Sequence, residues 1–246
     1  MGVKTKAEYD AFAEDYSFFA WATRSISPRG YDVAIAFLPR DVNRALDAGC
    51  GSGYLSLRLA SYFNHVVAVD ISTALIKLAK SYQEDQRKAN VDFVVADLVN
   101  LPFREETFDF VVSDTALHDT PVEVTLPGLS RLVKPSGRMV LWDVITLTPR
   151  LETFRLWQIL RVLRRAPSYA LSLGFRTMWR AVSFQLSRKW IRHVCDPKNN
   201  KLTSQSFREI YSRFLPGCRF ERNPKTPWRM AAFWEATENS RKKIAK

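Results

Sequence analysis

The chain has 246 residues, enough for one large domain or for one domain with an elaborate insertion, and 46% hydrophobic content excludes a disordered polymer. No uninterrupted apolar run approaches the ~20 residues of a membrane span, and Cys50, Cys195 and Cys218 show no metal spacing. The formal charge of +12 is concentrated: residues 150–192 hold ten basic residues against Glu152 alone, which leaves +3 for the remainder.

The opening M-G-V-K-T-K-A-E-Y-D lacks the apolar core of a secretory signal, and Lys6 stands where myristoylation needs Ser or Thr. Over residues 5–22, Phe12, Tyr16 and Phe19 recur at helical spacing and predict one or two helices with a buried face. Ser27-Pro28-Arg29-Gly30 reads as a loop and Val33–Leu38 as a helix. Ala45, Leu46 and Ala48 then form an apolar run, interrupted by Asp47 and ended by glycine. A buried parallel strand stops in this way at a ligand-facing edge. Gly49, Gly51 and Gly53 permit a tight turn and close approach of backbone to a bound group. Leu55, Leu57, Leu59 and Ala60 follow as a helix, and His65–Val69 is a β-branched run closed by Asp70. Strand, glycine turn, helix, strand and acid make one βαβ nucleotide-binding unit. Its spacing is G-x-G-x-G, with Tyr54 where the third glycine of a dinucleotide fingerprint would fall. The Asp47 carboxylate beside it repels a pyrophosphate and attracts an ammonium or sulfonium.

Ser72 is expected to cap a helix through Ala74, Leu75, Leu78 and Ala79 that Asn90 ends. Val91–Ala96 is a third strand followed by Asp97, and Phe108–Val112 a fourth, followed by Ser113 and Asp114. A helix from Pro121 to Val133 and a K-P-S-G-R turn lead to a fifth strand, Met139–Ile145. This alternation argues a parallel sheet with helices on both faces, and the acids at the strand ends converge on one crevice. In the basic segment, Leu156, Ile159, Leu160 and Leu163 share a helical face, Pro167 is expected to break the helix, and a second runs from Tyr169 to Val194. Thr203 or Ser204 caps a helix to Phe214, and Cys218–Arg222 and Arg229–Glu235 read as two strands ahead of a charged tail.

D-A-G-C-G-S-G, V-V-A-D-L and L-P-F-R-E-E-T-F-D-F-V-V together resemble the class I S-adenosylmethionine-dependent methyltransferases, in the type 11 small-molecule group that includes quinone-biosynthesis enzymes. The resemblance implies a Rossmann-like α/β fold: a seven-stranded, mostly parallel sheet with helices on both faces and a helical lid inserted after the fifth strand. It implies a single domain with N-terminal cap helices at 5–40, a cofactor-binding core at 41–149, the lid at 150–200, and a closing helix and strands at 201–237. By the same resemblance Asp70 is the ribose-binding acid, Asp97 with the backbone of Ala96 and Leu98 reads the adenine, and Tyr16 covers the cofactor. Asp47, Ala48, Gly49, Cys50, Gly51, Gly53, Ile71, Ser72, Ser113 and Asp114 complete the expected S-adenosylmethionine site. The family usually has a second glycine where Ser136 stands, a change expected to be neutral, and often a second histidine where this chain has Asp119.

Methyl transfer needs the acceptor held in line and can need its proton removed, for which Asp114, His118 and Asp119 are the candidates; His118 is the expected base, since imidazole titrates near neutrality, and Asp119 alternatively orients it or caps the helix that follows. His65, His118 and His193 lack metal-ligand spacing with the cysteines, so no metal is expected. The odd cysteine count points to reduced thiols and a cytoplasmic protein. Three acceptors remain open. A small hydrophobic or lipid-like metabolite suits a lid carrying Trp157 and Trp179. The basic segment also suits peripheral contact with an anionic membrane, or tRNA, although no RNA-binding module is appended. A catalytically inactive scaffold of the same fold is a further alternative.

Overall fold

The computed structural model describes residues 6–26, 34–146, 155–194, 201–222, 228–238 and 240. The loop expected at Ser27–Gly30 and the charged tail lie outside the described residues. Helices α1 (Lys6–Asp10) and α2 (Ala13–Ile26) precede β1 (Arg44–Ala48), α3 (Tyr54–Leu59), β2 (His65–Asp70), α4 (Thr73–Gln86) and β3 (Val91–Val95). Then come β4 (Phe108–Asp114), α5 (Val122–Leu132) and β5 (Val133–Val144). Three helices follow, α6 (Arg155–Leu173), α7 (Phe175–Leu186) and α8 (Arg188–Val194), before α9 (Ser204–Phe214), β6 (Arg219–Glu221) and β7 (Arg229–Glu235).

The strands form one seven-stranded sheet in the order β3-β2-β1-β4-β5-β7-β6. β1 to β5 pair in parallel, while β7 runs antiparallel to both β5 and β6. Successive strand residues face opposite sides, so both faces must be covered. Leu46, Val67, Val111 and Leu141 join Leu126 and Leu129 of α5 and Phe207 and Tyr211 of α9 in one apolar cluster. Their neighbours Ala45, Val66, Phe110 and Val140 join Leu55 and Leu59 of α3 and Ile76 and Ala79 of α4 in another. Crossover helices on both faces leave the C-terminal strand ends together along one edge.

Local signals set the helix ends. Ser72 caps α4 by accepting a hydrogen bond from Leu75 N, and Thr203 caps α9 by accepting one from Ser206 N. α4 ends at Gln86 rather than at Asn90, whose amide instead donates to the carbonyls of Ala60 and Phe63. The K-P-S-G-R stretch is part of β5, made irregular by a register shift opposite Phe108 and Phe110. Ser136 lies within it at φ 63, so the residue there is not neutral: a β-carbon in the left-handed region costs about 1 kcal/mol against glycine.

Pro167 does not break the basic segment. α6 continues through it to Leu173, because proline removes one helical hydrogen bond while Val162, Ala166 and Ala170 hold the helix against Met178 and Val182. The chain reverses instead at Gly174, whose φ of 78 and ψ of 159 belong to a region open essentially only to glycine. Leu160 and Leu163, which share an apolar helical face in the sequence, lie on the outward side of α6, 53% and 50% exposed.

The glycine turn after β1 allows a direct test of steric demand. A β-carbon on Gly49, at φ +79, would lie 2.2 Å from Ala116 Cβ, whereas one on Gly51, at φ +56, would meet nothing closer than Tyr16 Cε1 at 3.9 Å. Gly49→Ala should therefore destabilise the fold by roughly 3 kcal/mol or more, and Gly51→Ala by only about 1 kcal/mol, as read by urea unfolding.

Candidate functional site

A cavity of about 710 Å³, its open mouth included, lies at the C-terminal ends of β1, β2 and β4 under the two N-terminal helices. Its floor is the glycine turn. Gly49 N and Cys50 N both donate to Val69 O, at 2.8 and 2.9 Å, which folds the turn onto the end of β2. Asp70 then fastens turn and helix together: Gly51 N donates to its Oδ2 at 2.8 Å and Ser72 N to its Oδ1 at 2.9 Å. Burial pushes the Asp70 carboxyl above the usual carboxylate range, against the pull of these hydrogen bonds. Each of its oxygens retains further acceptor capacity.

The structure brings Tyr16, Gly49, Cys50, Gly51, Asp70, Ile71, Asp97, Leu98 and Asp114 to the cavity wall. It does not bring Ala48, Gly53, Ser72, Ala96 or Ser113 there. Asp47 is also absent from the wall. That side chain is buried, accepts a hydrogen bond from Ser56 Oγ at 2.6 Å, and is pushed by burial up to about 7. The carboxylates at the wall are Asp70, Asp97, Asp114 and Asp119.

The wall also holds residues that sequence reasoning missed. Tyr9 and Arg24 reach it from the cap helices, and Thr115, Ala116 and Thr120 from the segment after β4, beside Asp119, which the sequence already marks as a candidate next to His118. Arg24 pairs with Asp114 at 3.0 Å, and Arg229 of β7 bonds both Asp114 and Thr115 Oγ1. Tyr9 donates its hydroxyl proton to Asp119. Burial raises the pKa of Tyr9 and Tyr16 above the ordinary phenol value, and Asp119 adds to the rise at Tyr9. Of the missed residues, only Tyr9 had a sequence signal, the spacing of aromatic residues in the leader.

His118 is buried and does not line the cavity. Its Nδ1 lies 2.7 Å from Asp143 Oδ1, itself fixed by the Val144 N–H, and its Nε2 lies 3.4 Å from Asp119 Oδ2. Asp119 thus stands between the imidazole and the cavity. Trp179 is 62% exposed on the outer side of α7 and is not at the wall, while the Trp157 side chain lies outside the described residues. Among the described residues no cluster of His, Cys, Asp and Glu could hold a metal ion.

Residues 46–141 match the family described as "Methyltransferase domain". An uncharacterized methyltransferase of Mycobacterium tuberculosis is 35% identical over 120 residues, covering 47% of this chain and 58% of that protein. A demethylmenaquinone methyltransferase of Staphylococcus saprophyticus is 32% identical over 117 residues, covering 46% and 48%. The chain spans about half the length of the curated relatives it matches. A chain from the complex of the Haloferax volcanii Trm112 methyltransferase activator with a putative methyltransferase superposes with a TM-score of 0.63 at 16% identity, covering 96% of this chain and 100% of that one. A SAM-dependent methyltransferase from Aquifex aeolicus gives 0.55 at 14% identity, covering 85% and 90%. Sheet order, strand-end cavity and structural likeness define the class I, Rossmann-like methyltransferase fold. Within that fold, residues 46–141 carry the match to the methyltransferase-domain family, and the cofactor to which this likeness points is S-adenosylmethionine.

The buried acid behind the glycine turn gives a pH signature. Folded Asp47 keeps its proton up to about 7, whereas the unfolded group releases it near 3.8. The folded state therefore binds more protons between these values, and its stability falls as pH rises through them, by up to ~1.4 kcal/mol per pH unit. Asp47→Asn should remove that slope, so its stability relative to wild type rises from pH 4 to pH 7 in urea titrations.

Proposed function

We propose that the protein transfers the methyl group of S-adenosylmethionine to a small hydrophobic or lipid-like metabolite. The observation that carries the reading is one cavity walled by the glycine turn, Asp70 bound to Gly51 N, and the Asp97–Leu98 segment. This wall fits the cofactor. Asp70 has acceptor capacity for ribose hydroxyls, Ile71 and Leu98 offer apolar surface to a base, and Gly51 leaves free the space that a β-carbon would enter below Tyr16. Asp97 and Asp119 supply negative charge where a sulfonium and an ammonium would be favoured, whereas Asp114 is already paired with Arg24 and Arg229. The bound cofactor supplies an electrophilic methyl group with a neutral thioether as leaving group. The chain's own part is to orient the acceptor and exclude water, which the cap helices α1 and α2 achieve by closing over the strand ends.

Asp119 is the group placed to take a proton from an acceptor, since it reaches the wall and His118 does not. His118 then acts through it, held by Asp143 with its other nitrogen toward Asp119. The small-molecule reading is also the one that the relatives favour, since one of them is a demethylmenaquinone methyltransferase and another an O-methyltransferase. RNA rests on the basic segment alone, and the intact cavity wall argues against an inactive scaffold.

Titration calorimetry tests the cofactor. Asp70→Ala should weaken S-adenosylmethionine binding by about tenfold or more while the fold persists. Tight NAD binding with no response to S-adenosylmethionine would sink the reading. The proton path has its own test, on the acceptor found by screening small hydrophobic phenols and quinols. His118→Ala and Asp119→Asn should each lower kcat by ~10²-fold, with cofactor affinity kept within a few-fold. Full activity in His118→Ala would remove the imidazole from the path.

A further inference from the structure

The most exposed large apolar side chains among the described residues gather on the α6–α7 hairpin. Leu171 is 90% exposed, Phe175 71% and Trp179 62%, and they bracket the reversal at Gly174. Leu160 and Leu163 continue the outer face of α6. These positions are not the remnant of a poorly packed pair. Val162, Met178 and Val182 form a small core inside the hairpin with Ala166, Tyr169, Ala170 and Leu186. The hairpin is therefore apolar inside and at its outer tip, a pattern that marks an interaction surface.

Charge identifies the partner. Residues 155–194 hold nine Lys and Arg and no acid; Arg176 is exposed next to Phe175 at the tip, and Arg164 is exposed next to Leu163 further along α6. A second copy of this chain would set the same cations against one another, which opposes a self-complementary contact. Nucleic acid would answer the charge, but a phosphate backbone gives no return on burying an aliphatic side chain such as Leu171. An anionic lipid surface answers both features: the acyl boundary takes the apolar tip and the phosphates take the guanidinium groups.

We propose that the α6–α7 hairpin inserts its Gly174 tip into an anionic bilayer surface. No described helix is long and apolar enough to cross a membrane, so the contact is interfacial. The root of the hairpin lies on the cap. Arg180 stacks over Phe18 at 4.0 Å, Phe184 meets Phe19 at 5.7 Å, and Trp190 of α8 meets Tyr16 at 5.9 Å. The helix that gives Tyr16 and Arg24 to the cavity is thus the one on which the membrane contact rests. This deepens the proposed function, on which it relies for the acceptor, and makes that acceptor a molecule drawn from the lipid phase.

The test is co-sedimentation of the full chain with vesicles of mixed phosphatidylglycerol and phosphatidylcholine, against phosphatidylcholine alone. S-adenosylmethionine affinity is measured on the same preparation. Wild type should bind the anionic vesicles at least ~10-fold more tightly than the neutral ones. Leu171→Ser with Phe175→Ser should lower that binding by about tenfold or more. Charge reversal at Arg164 or Arg176 should lower it about fivefold or more each. Cofactor affinity and thermal midpoint should stay unchanged in all of these variants, because none of the four residues lies at the cavity wall. Vesicle binding that is absent, or indifferent to the tip substitutions, overturns the proposal. So does retention of bulk tRNA at physiological salt without vesicle binding, or a dimer that Leu171→Ser with Phe175→Ser abolishes. Vesicle binding without S-adenosylmethionine binding would sustain the membrane contact and defeat the methyltransferase reading instead.

Discussion

The grip of Asp70 on two backbone N–H groups organises the molecule. Gly51 N and Ser72 N point at one half-buried carboxylate from opposite sides, the first from the turn after β1 and the second from the start of α4. The turn itself hangs from Val69 O through Gly49 N and Cys50 N. Parallel pairing of β1 with β2 places these strand ends side by side, so the carboxylate closes a gap that the sheet has already aligned. A partly desolvated carboxylate is costly unless donors face it, and here the donors are main-chain groups fixed by secondary structure. The cavity is built on that arrangement.

The roof depends on electrostatics and aromatic packing more than on the sheet. Asp10 accepts from Ser72 Oγ and from Ala74 N, so α1 is tied to the start of α4. Arg24 and Arg229 meet on Asp114 from α2 and β7, two elements far apart in sequence. Phe12, Phe19 and Phe184 pack around Trp190, linking cap and insertion. Tyr9 and Tyr16 are drawn into this roof with raised pKa values, so they remain neutral donors at physiological pH. A roof made this way can respond to what the hairpin touches, since α2 is shared by both.

The polar chain running from Asp143 through His118 to Asp119 and Tyr9 links the sheet interior with the cavity. Asp143 and Asp119 belong to β5 and to the segment after β4, neighbours in the sheet although not in sequence. A histidine alone in a sequence gives no sign of whether it faces ligand or protein. Here the residue after it took the outward position, because the short 3-10 turn Leu117–Asp119 turns the imidazole inward to Asp143.

Local pattern sufficed for the sheet. Alternation of apolar runs with helical periods, the glycine cluster and the acids at strand ends predicted seven strands, the doubly covered sheet and one ligand edge, since each signal depends on residues adjacent along the chain. The same locality predicted the Ser72 cap and narrowed the cap of α9 to Thr203 or Ser204, of which the structure uses Thr203. It failed where distant elements decide the outcome. Pro167 is a helix breaker by its own chemistry, yet packing of Val162, Ala166 and Ala170 on α7 carried α6 through it. Leu160 and Leu163 fit an apolar stripe, but the contact surface fell on the neighbouring face and left them outward. Asp47 sits in the ligand-binding motif, and only the pleat of β1 decides that its carboxylate is buried against Ser56 rather than at the wall. Arg24 and Arg229 carry no local signature, and Asp119 is marked only by its place beside His118, because their roles exist only once α2, β7 and the segment after β4 meet above the strand ends.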